Sequence, residues 1–298
     1  MKKIICIGEL SLNIALDSTG ATLGAMPGGR IANAAALLAA DGLEVLMASE
    51  AADDSVGAIV VGHLEQAGVQ TRSVDRYTEG RTTLNILSGE PPVLTRYEAY
   101  PDEAFDIIWP RIDEGDIVVF GGYYAIDRRM RPRLAKLLTH AVERKALMVY
   151  LPGFPPQQES RITRVMPEIL ENLETAHIVV TRTSDLATVF GNGDGNGCFN
   201  DRISFYCRSL VNIDPACGHI EYFGGKECTT AEIGGEPCGS LLWNAGALAG
   251  LVAAIARGEY KPDDFEHPSE TLRSDILKAA ATSAHAAVAG RNQWQLMP

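Results

Sequence analysis

Residues 27–35 read PGGRIANAA, and the fold of the chain is decided there. Gly28 and Gly29 stand immediately before an Ala-rich apolar run, 31–41, that stops at Gly42. Two glycines ahead of a helix let backbone approach a ligand with no Cβ in the way. Asn33 falls in the first turn or two of that helix, and its amide offers both a donor and an acceptor, which suits a sugar hydroxyl. Taken alone, Gly-Gly before a helix is a common turn. Its weight comes from what surrounds it.

Outward from this stretch, strand-like and helical runs alternate. Residues 3–7 and 44–49 read as strands, and 54–67 as a helix that ends at Gly68. Residues 116–120 (DIVVF) form a continuous apolar strand stopped by Gly121-Gly122. Residues 131–144 have helical periodicity, 146–151 and 177–181 are two more buried strands, and 184–190 is a helix. Strands that are apolar on both faces and alternate with helices specify a parallel sheet covered by helices. Residues 82–88 and 93–100 break the pattern, alternating polar and apolar around Gly89-Glu90-Pro91-Pro92. That is a β-hairpin with one solvated face, either an edge decoration or a lid or dimer clasp. Residues 191–197 (GNGDGNG) read as a surface loop, because their Asn/Asp alternation lacks the closing Glu of a calcium loop.

Composition narrows the function classes. The chain has 298 residues, 46% hydrophobic and 21% charged, which suits one large α/β domain or two smaller ones. A formal charge of −12 argues against nucleic acid as a partner. The basic spot at 127–131 reads as the solvated face of a helix. An acidic surface can still hold a small anion in a locally positive pocket. No apolar run is long enough for a membrane span; 241–257 contains Asn244 and ends in charge. The opening MKKIICIGEL is too short for a signal-peptide core and reads as a buried strand. Cys6, Cys198, Cys207, Cys217, Cys228 and Cys238 form no C-x-x-C pair and are expected to be reduced thiols of a cytoplasmic protein.

In combination the motifs become specific. Gly8-Glu9, then Gly28-Gly29-x-x-x-Asn33-x-Ala35, then Asp54-x-x-Gly57 and Leu64-x-x-x-Gly68-Val69 resemble the ribokinase/PfkB family of sugar kinases. The helix carrying Ala245-Gly246-x-x-Ala249-Gly250 resembles the family's C-terminal signature helix, so the likeness spans nearly the whole chain. The resemblance implies a single ribokinase-like domain, 1–298, with a Rossmann-like three-layer α/β/α core. It implies a small β-sheet lid, with strands around 10–25 and 82–100, above a cleft at the strand C-terminal ends. It also implies a homodimer through the lid. The implied activity is phosphoryl transfer from ATP, with Mg²⁺, to a hydroxymethyl group of a sugar or nucleoside.

Departures from the family pattern concentrate on its catalytic half. The family loop Asp-Thr-x-Gly-Ala-Gly-Asp ends in the base that accepts the hydroxyl proton. Anchored on Ala245-Gly246, its last four positions fall on Cys238-Gly239-Ser240-Leu241 and its leading Asp on Gly235. The base position is therefore Leu241, which accepts no proton, while Gly239 and Ser240 remain as an anion-hole candidate. The Asn-x-x-Glu that organises Mg²⁺ waters falls on Arg182-Thr183-Ser184-Asp185. A Thr-x-Gly-x-x-Gly nucleotide turn falls on residues 213–218 and keeps only Gly218. The sugar-contacting Asp falls on Asn13, and an Asp-x-Asn falls on Leu151-Pro152-Gly153. Asn13, Gly28, Gly29 and Asn33 thus form the acceptor-side candidates. Arg182, Asp185 and Gly218 mark the nucleotide and Mg²⁺ region, and no metal ligand set is assigned. Arg182 either replaces Mg²⁺ charge at a phosphate or is a surface Arg after a strand. Loss of a general base costs about 10²–10⁴-fold in rate. Two readings follow. One is a homologue that binds a sugar- or nucleoside-like ligand with phosphoryl transfer weak or lost. The other is an active kinase with a non-standard base, for which Glu236 and Cys238 are the nearest ionisable groups.

Overall fold

The computed structural model describes residues 2–89, 93–101, 107–156, 158–214, 218–232 and 240–291. The chain opens with β1 (Ile4–Ile7), β2 (Ser11–Leu16), β3 (Thr22–Gly28) and α1 (Arg30–Ala40). β4 (Val45–Ala52), α2 (Ser55–Gln66) and β5 (Gln70–Tyr77) follow, then β6 (Arg81–Ser88) and β7 (Val93–Ala99). A regular alternation comes next: β8 (Ile117–Gly121), α3 (Arg131–Glu143), β9 (Leu147–Leu151), α4 (Met166–Thr175), β10 (Ile178–Arg182) and α5 (Thr183–Phe190). The remainder comprises α6 (Gly195–Asp201), β11 (Ser209–Asp214), β12 (His219–Gly224), β13 (Glu227–Glu232), α7 (Leu241–Arg257) and α8 (Glu270–Val288).

The main sheet has nine strands in the order β13-β12-β11-β10-β9-β8-β1-β4-β5. From β5 through β11 every neighbouring pair is parallel, and β12 and β13 add an antiparallel edge. Successive side chains of a strand point to opposite faces. Accordingly Ile4 and Cys6 join the core beneath α1, α7 and α8, while Ile5 and Ile7 join the core beneath α3 and α4. A strand buried on both faces reads as a continuous apolar run, which is why β1, β8, β9 and β10 stand out in the sequence. Gly246 and Gly250 let α7 lie close against α8.

The second sheet has four strands, ordered β3-β2-β6-β7. β6 and β7 form the antiparallel hairpin expected from their alternation, while β2 pairs antiparallel with β3 and parallel with β6. Asp54 ties this sheet to the core. Its carboxylate caps α2 by accepting from Gly57 N at 2.7 Å and also accepts from Thr82 N and Thr82 Oγ1 of β6.

Two local expectations are corrected. Residues 195–197 are the first turn of α6, because Asp194 accepts from the N–H groups of Asn196 and Gly197 and so starts a helix. Residues 127–131 are not a solvated helix face. Asp127 is buried and accepts from Arg129, whose guanidinium lies 4.2 Å from the Tyr100 ring centroid, and Arg131 begins α3 bound to Glu171 and Asn172.

Candidate active site

A cavity of about 210 Å³ opens at the C-terminal ends of β1, β8, β9 and β10, beneath the four-stranded sheet. Ligands of open parallel sheets bind at this edge, where strands end and helices begin. Leu12 and Ile14 of β2 alternate with Ser11 and Asn13, so the polar set of the small sheet faces the cavity. Asn85 Nδ2 donates to Asn13 Oδ1 at 2.9 Å and to Ser11 Oγ at 3.2 Å. Arg96 of β7 reaches across to Glu9, and the Tyr100 hydroxyl donates to the same Glu9 oxygen at 2.5 Å. Burial would lower the Arg96 pKa, but Glu9 outweighs it and holds the guanidinium charged. Behind Glu9, Glu50 is buried at 3% exposure, and burial pushes its carboxyl well above the usual range, favouring the neutral acid.

The opposite end of the cavity is built differently. Gly29 takes a left-handed φ of +88°, and a Cβ there would sit 2.5 Å from the Glu9 carbonyl oxygen. Only glycine turns the chain here without strain. The turn brings Arg30, the first residue of α1, against Asp185 in the first turn of α5. Arg30 Nη1 donates to Asp185 Oδ2 at 3.0 Å, while Arg182 Nη2 donates to Oδ1 at 2.6 Å and Arg182 Nε to both oxygens at 3.1 Å. Burial alone would raise the Asp185 carboxyl; the two guanidiniums outweigh it and hold the carboxyl well below the usual carboxylate range. Gly153 makes room for this cluster, since a Cβ there would lie 2.1 Å from the Asp185 carboxylate.

Asn13, Gly29, Arg182 and Leu241 all border the cavity. Gly28 is buried beside Ser11 and Asn13. The Asn33 amide is turned onto the turn itself, donating to the carbonyls of Pro27 and Gly29 at 3.0 and 2.9 Å. Ser240 is buried as the N-cap of α7, its hydroxyl accepting from Trp243 N. Gly218 lies at the turn between β11 and β12 with φ +76°. Gly235, Glu236, Cys238 and Gly239 lie outside the described residues. Among the described residues no group of three or more His, Cys, Asp or Glu could hold a metal ion.

Sequence reasoning missed Arg30, Asn85 and Arg96, and left Glu9 without a role. The one signal for Arg96 and Asn85 was the hairpin's own alternation, which sets both on the same register pair. Nothing local links Arg30 to Asp185.

A doubly covered parallel sheet, a small β lid and a polar cleft between them define a sugar- or nucleoside-kinase fold. The chain belongs to the pfkB family of carbohydrate kinases, whose pattern it matches over residues 1–197. Three solved structures are similar in fold. A double mutant of fructokinase from Vibrio cholerae, bound to fructose, ADP and potassium, superposes with a TM-score of 0.81 at 14% identity. Fructokinase from Xylella fastidiosa with bound ATP gives 0.79 at 18%. Aminoimidazole riboside kinase from Salmonella enterica, complexed with aminoimidazole riboside and an ATP analogue, gives 0.77 at 13%. Each comparison covers 100% of this chain and 96% of the other. No curated protein matches the sequence significantly.

The residues at position 182–185 do not fit a divalent cation. A Mg²⁺ site needs carboxylate oxygens free to hold the ion or its waters. Both Asp185 oxygens are taken by guanidinium groups, and Arg182 places a fixed cation beside them.

Proposed function

We propose that this protein acts as one ribokinase-like unit over residues 1–298 and binds a sugar- or nucleoside-like ligand in the cavity under the lid, with phosphoryl transfer weak or lost. The observation that carries this reading is Leu241, a hydrocarbon side chain bordering the cavity at the start of α7. Phosphoryl transfer to a hydroxyl calls for a base at the acceptor oxygen and for charge neutralisation at the phosphoryl group. Among the described residues the one carboxylate that borders the cavity is Glu9, and it is held by Arg96 and Tyr100. The amides of Asn13 and Asn85, the Ser11 hydroxyl and the Gly29 turn supply what a sugar ring needs: neutral donors and acceptors under a closing sheet. ATP and Mg²⁺ are the cofactors of any residual turnover.

No nucleic acid partner is expected from the charge of −12. Among the described residues no helix is long and apolar enough to cross a membrane, in keeping with a cytoplasmic protein. Two copies are proposed to pair through the lid.

The deciding measurement is a sensitive phosphotransfer assay with ATP-Mg²⁺ and a sugar and nucleoside panel, beside calorimetric titration of the same panel. Binding without turnover supports the reading; turnover at about 1–100 s⁻¹, as in ordinary kinases, overturns it. Leu241→Asp returns a carboxylate to the base position. It is expected to stay at background, because Asp185 remains locked to Arg30 and Arg182.

A further inference from the structure

Four features of the cavity point to the charge of its ligand. First, Asp185 does not exhaust its two arginines. Arg30 Nε and Nη2 and Arg182 Nη1 have no hydrogen-bond partner among the described residues, and both side chains border the cavity. Second, one carboxylate against two guanidiniums leaves a net positive charge in a chain whose formal charge is −12. Third, three helices begin at this wall: Arg30 opens α1, Arg182 precedes α5 and Leu241 opens α7. Helix N-termini present free N–H groups and the positive end of the dipole, so their fields add for an anion. Fourth, Leu241 borders the cavity as a hydrocarbon and brings no negative charge to that wall, so no carboxylate there repels an anionic ligand. At the lid end the charges already cancel, Glu9 against Arg96, and the remaining groups are neutral amides and a hydroxyl.

Resting on the sugar-binding reading above, we propose that the cavity holds a sugar phosphate monoester without a divalent cation, its ring against Asn13 and Asn85 and its phosphate against Arg30 and Arg182. A phosphate suits this wall better than a carboxylate. One Arg satisfies a planar carboxylate in a fork-to-fork pair, whereas a phosphate has three terminal oxygens for donors on separate elements. Asp185 fixes both guanidiniums in advance, so little side-chain freedom is lost on binding.

The test is isothermal titration of the full chain with free pentoses and hexoses, their monophosphates and inorganic phosphate, each in EDTA and in Mg²⁺. The expected result is one monophosphate that binds at least tenfold tighter than its parent sugar and equally well in EDTA. Arg182→Gln is expected to erase that preference, read as the ratio of the two affinities. The wild-type comparison in EDTA requires no variant, so a misfolded Arg182→Gln leaves the test intact. Loss of phosphate-ester binding in EDTA overturns the inference, as does a parent sugar that binds as tightly as its ester. Inorganic phosphate binding as tightly as any ester overturns the claim that ring and anion are held together. Binding by neutral sugars alone overturns this inference and keeps the sugar-binding reading; no binding by any sugar or ester overturns both.

Discussion

Gly153 has no Cβ, and the Asp185 carboxylate occupies the space one would need. Gly153→Ala therefore forces that carboxylate away from Arg30 and Arg182. The expected loss is about 3 kcal/mol, where the ranges for overpacking and for a broken buried ion pair meet. Urea denaturation of the variant checks it, and a change below about 1 kcal/mol would show that the cluster shifts without cost. Residues differ in how far the sequence exposes them. Leu241 is legible as a hydrocarbon at the start of the helix that carries Ala245-Gly246, and the structure sets it at the edge of the cavity. Asp185 is legible as a carboxylate but not as a spent one. Its second partner, Arg30, is 155 positions away, and only the Gly29 turn brings the two together.

Elements were readable where burial is two-sided. β1, β8, β9 and β10 are uninterrupted apolar runs because helices cover both faces, and the hairpin β6–β7 is readable because one face is wet. The parallel pairing of β2 with β6 is not readable, since it depends on where two distant strands meet and not on either one's pattern. One joint between elements titrates. His177, just before β10, donates its backbone N–H to the Met148 carbonyl, and its Nδ1 accepts from Met148 N at 2.9 Å. Burial lowers its pKa from 6.5 to about 4. The neutral ring is the folded form, so its contribution is complete above pH 6.5 and is lost as pH falls towards 4. The expected loss is about 1–3 kcal/mol. Stability curves of wild type and His177→Asn across that interval check it: the variant should lack this part of the slope, and parallel curves would refute the assignment.

At the scale of the whole molecule, the lid closes the cavity with one side of its sheet and leaves Val93 and Tyr97 of β7 exposed at 61% and 56%. A contact between two lids would bury these side chains. Tyr97→Glu is expected to convert a dimer into a monomer in sedimentation at micromolar protein; a wild-type monomer would refute lid pairing. The class of fold was legible between residues 3 and 190, where strand and helix periods mostly alternate, while the strands β11 to β13 and the pairing order of either sheet were not. That order has a consequence of its own. β1 precedes both its neighbours, β4 and β8, and β2 precedes both of its own, β3 and β6. Each sheet is thus completed from the inside out, around a strand made earlier than its flanks. Pairings between distant segments are slow to form. Until Ile117–Gly121 docks, the fully apolar edge of Ile4–Ile7 stays open to other chains. Throughout the interval between those two segments a nascent copy of this protein carries an open strand edge to which another chain can add.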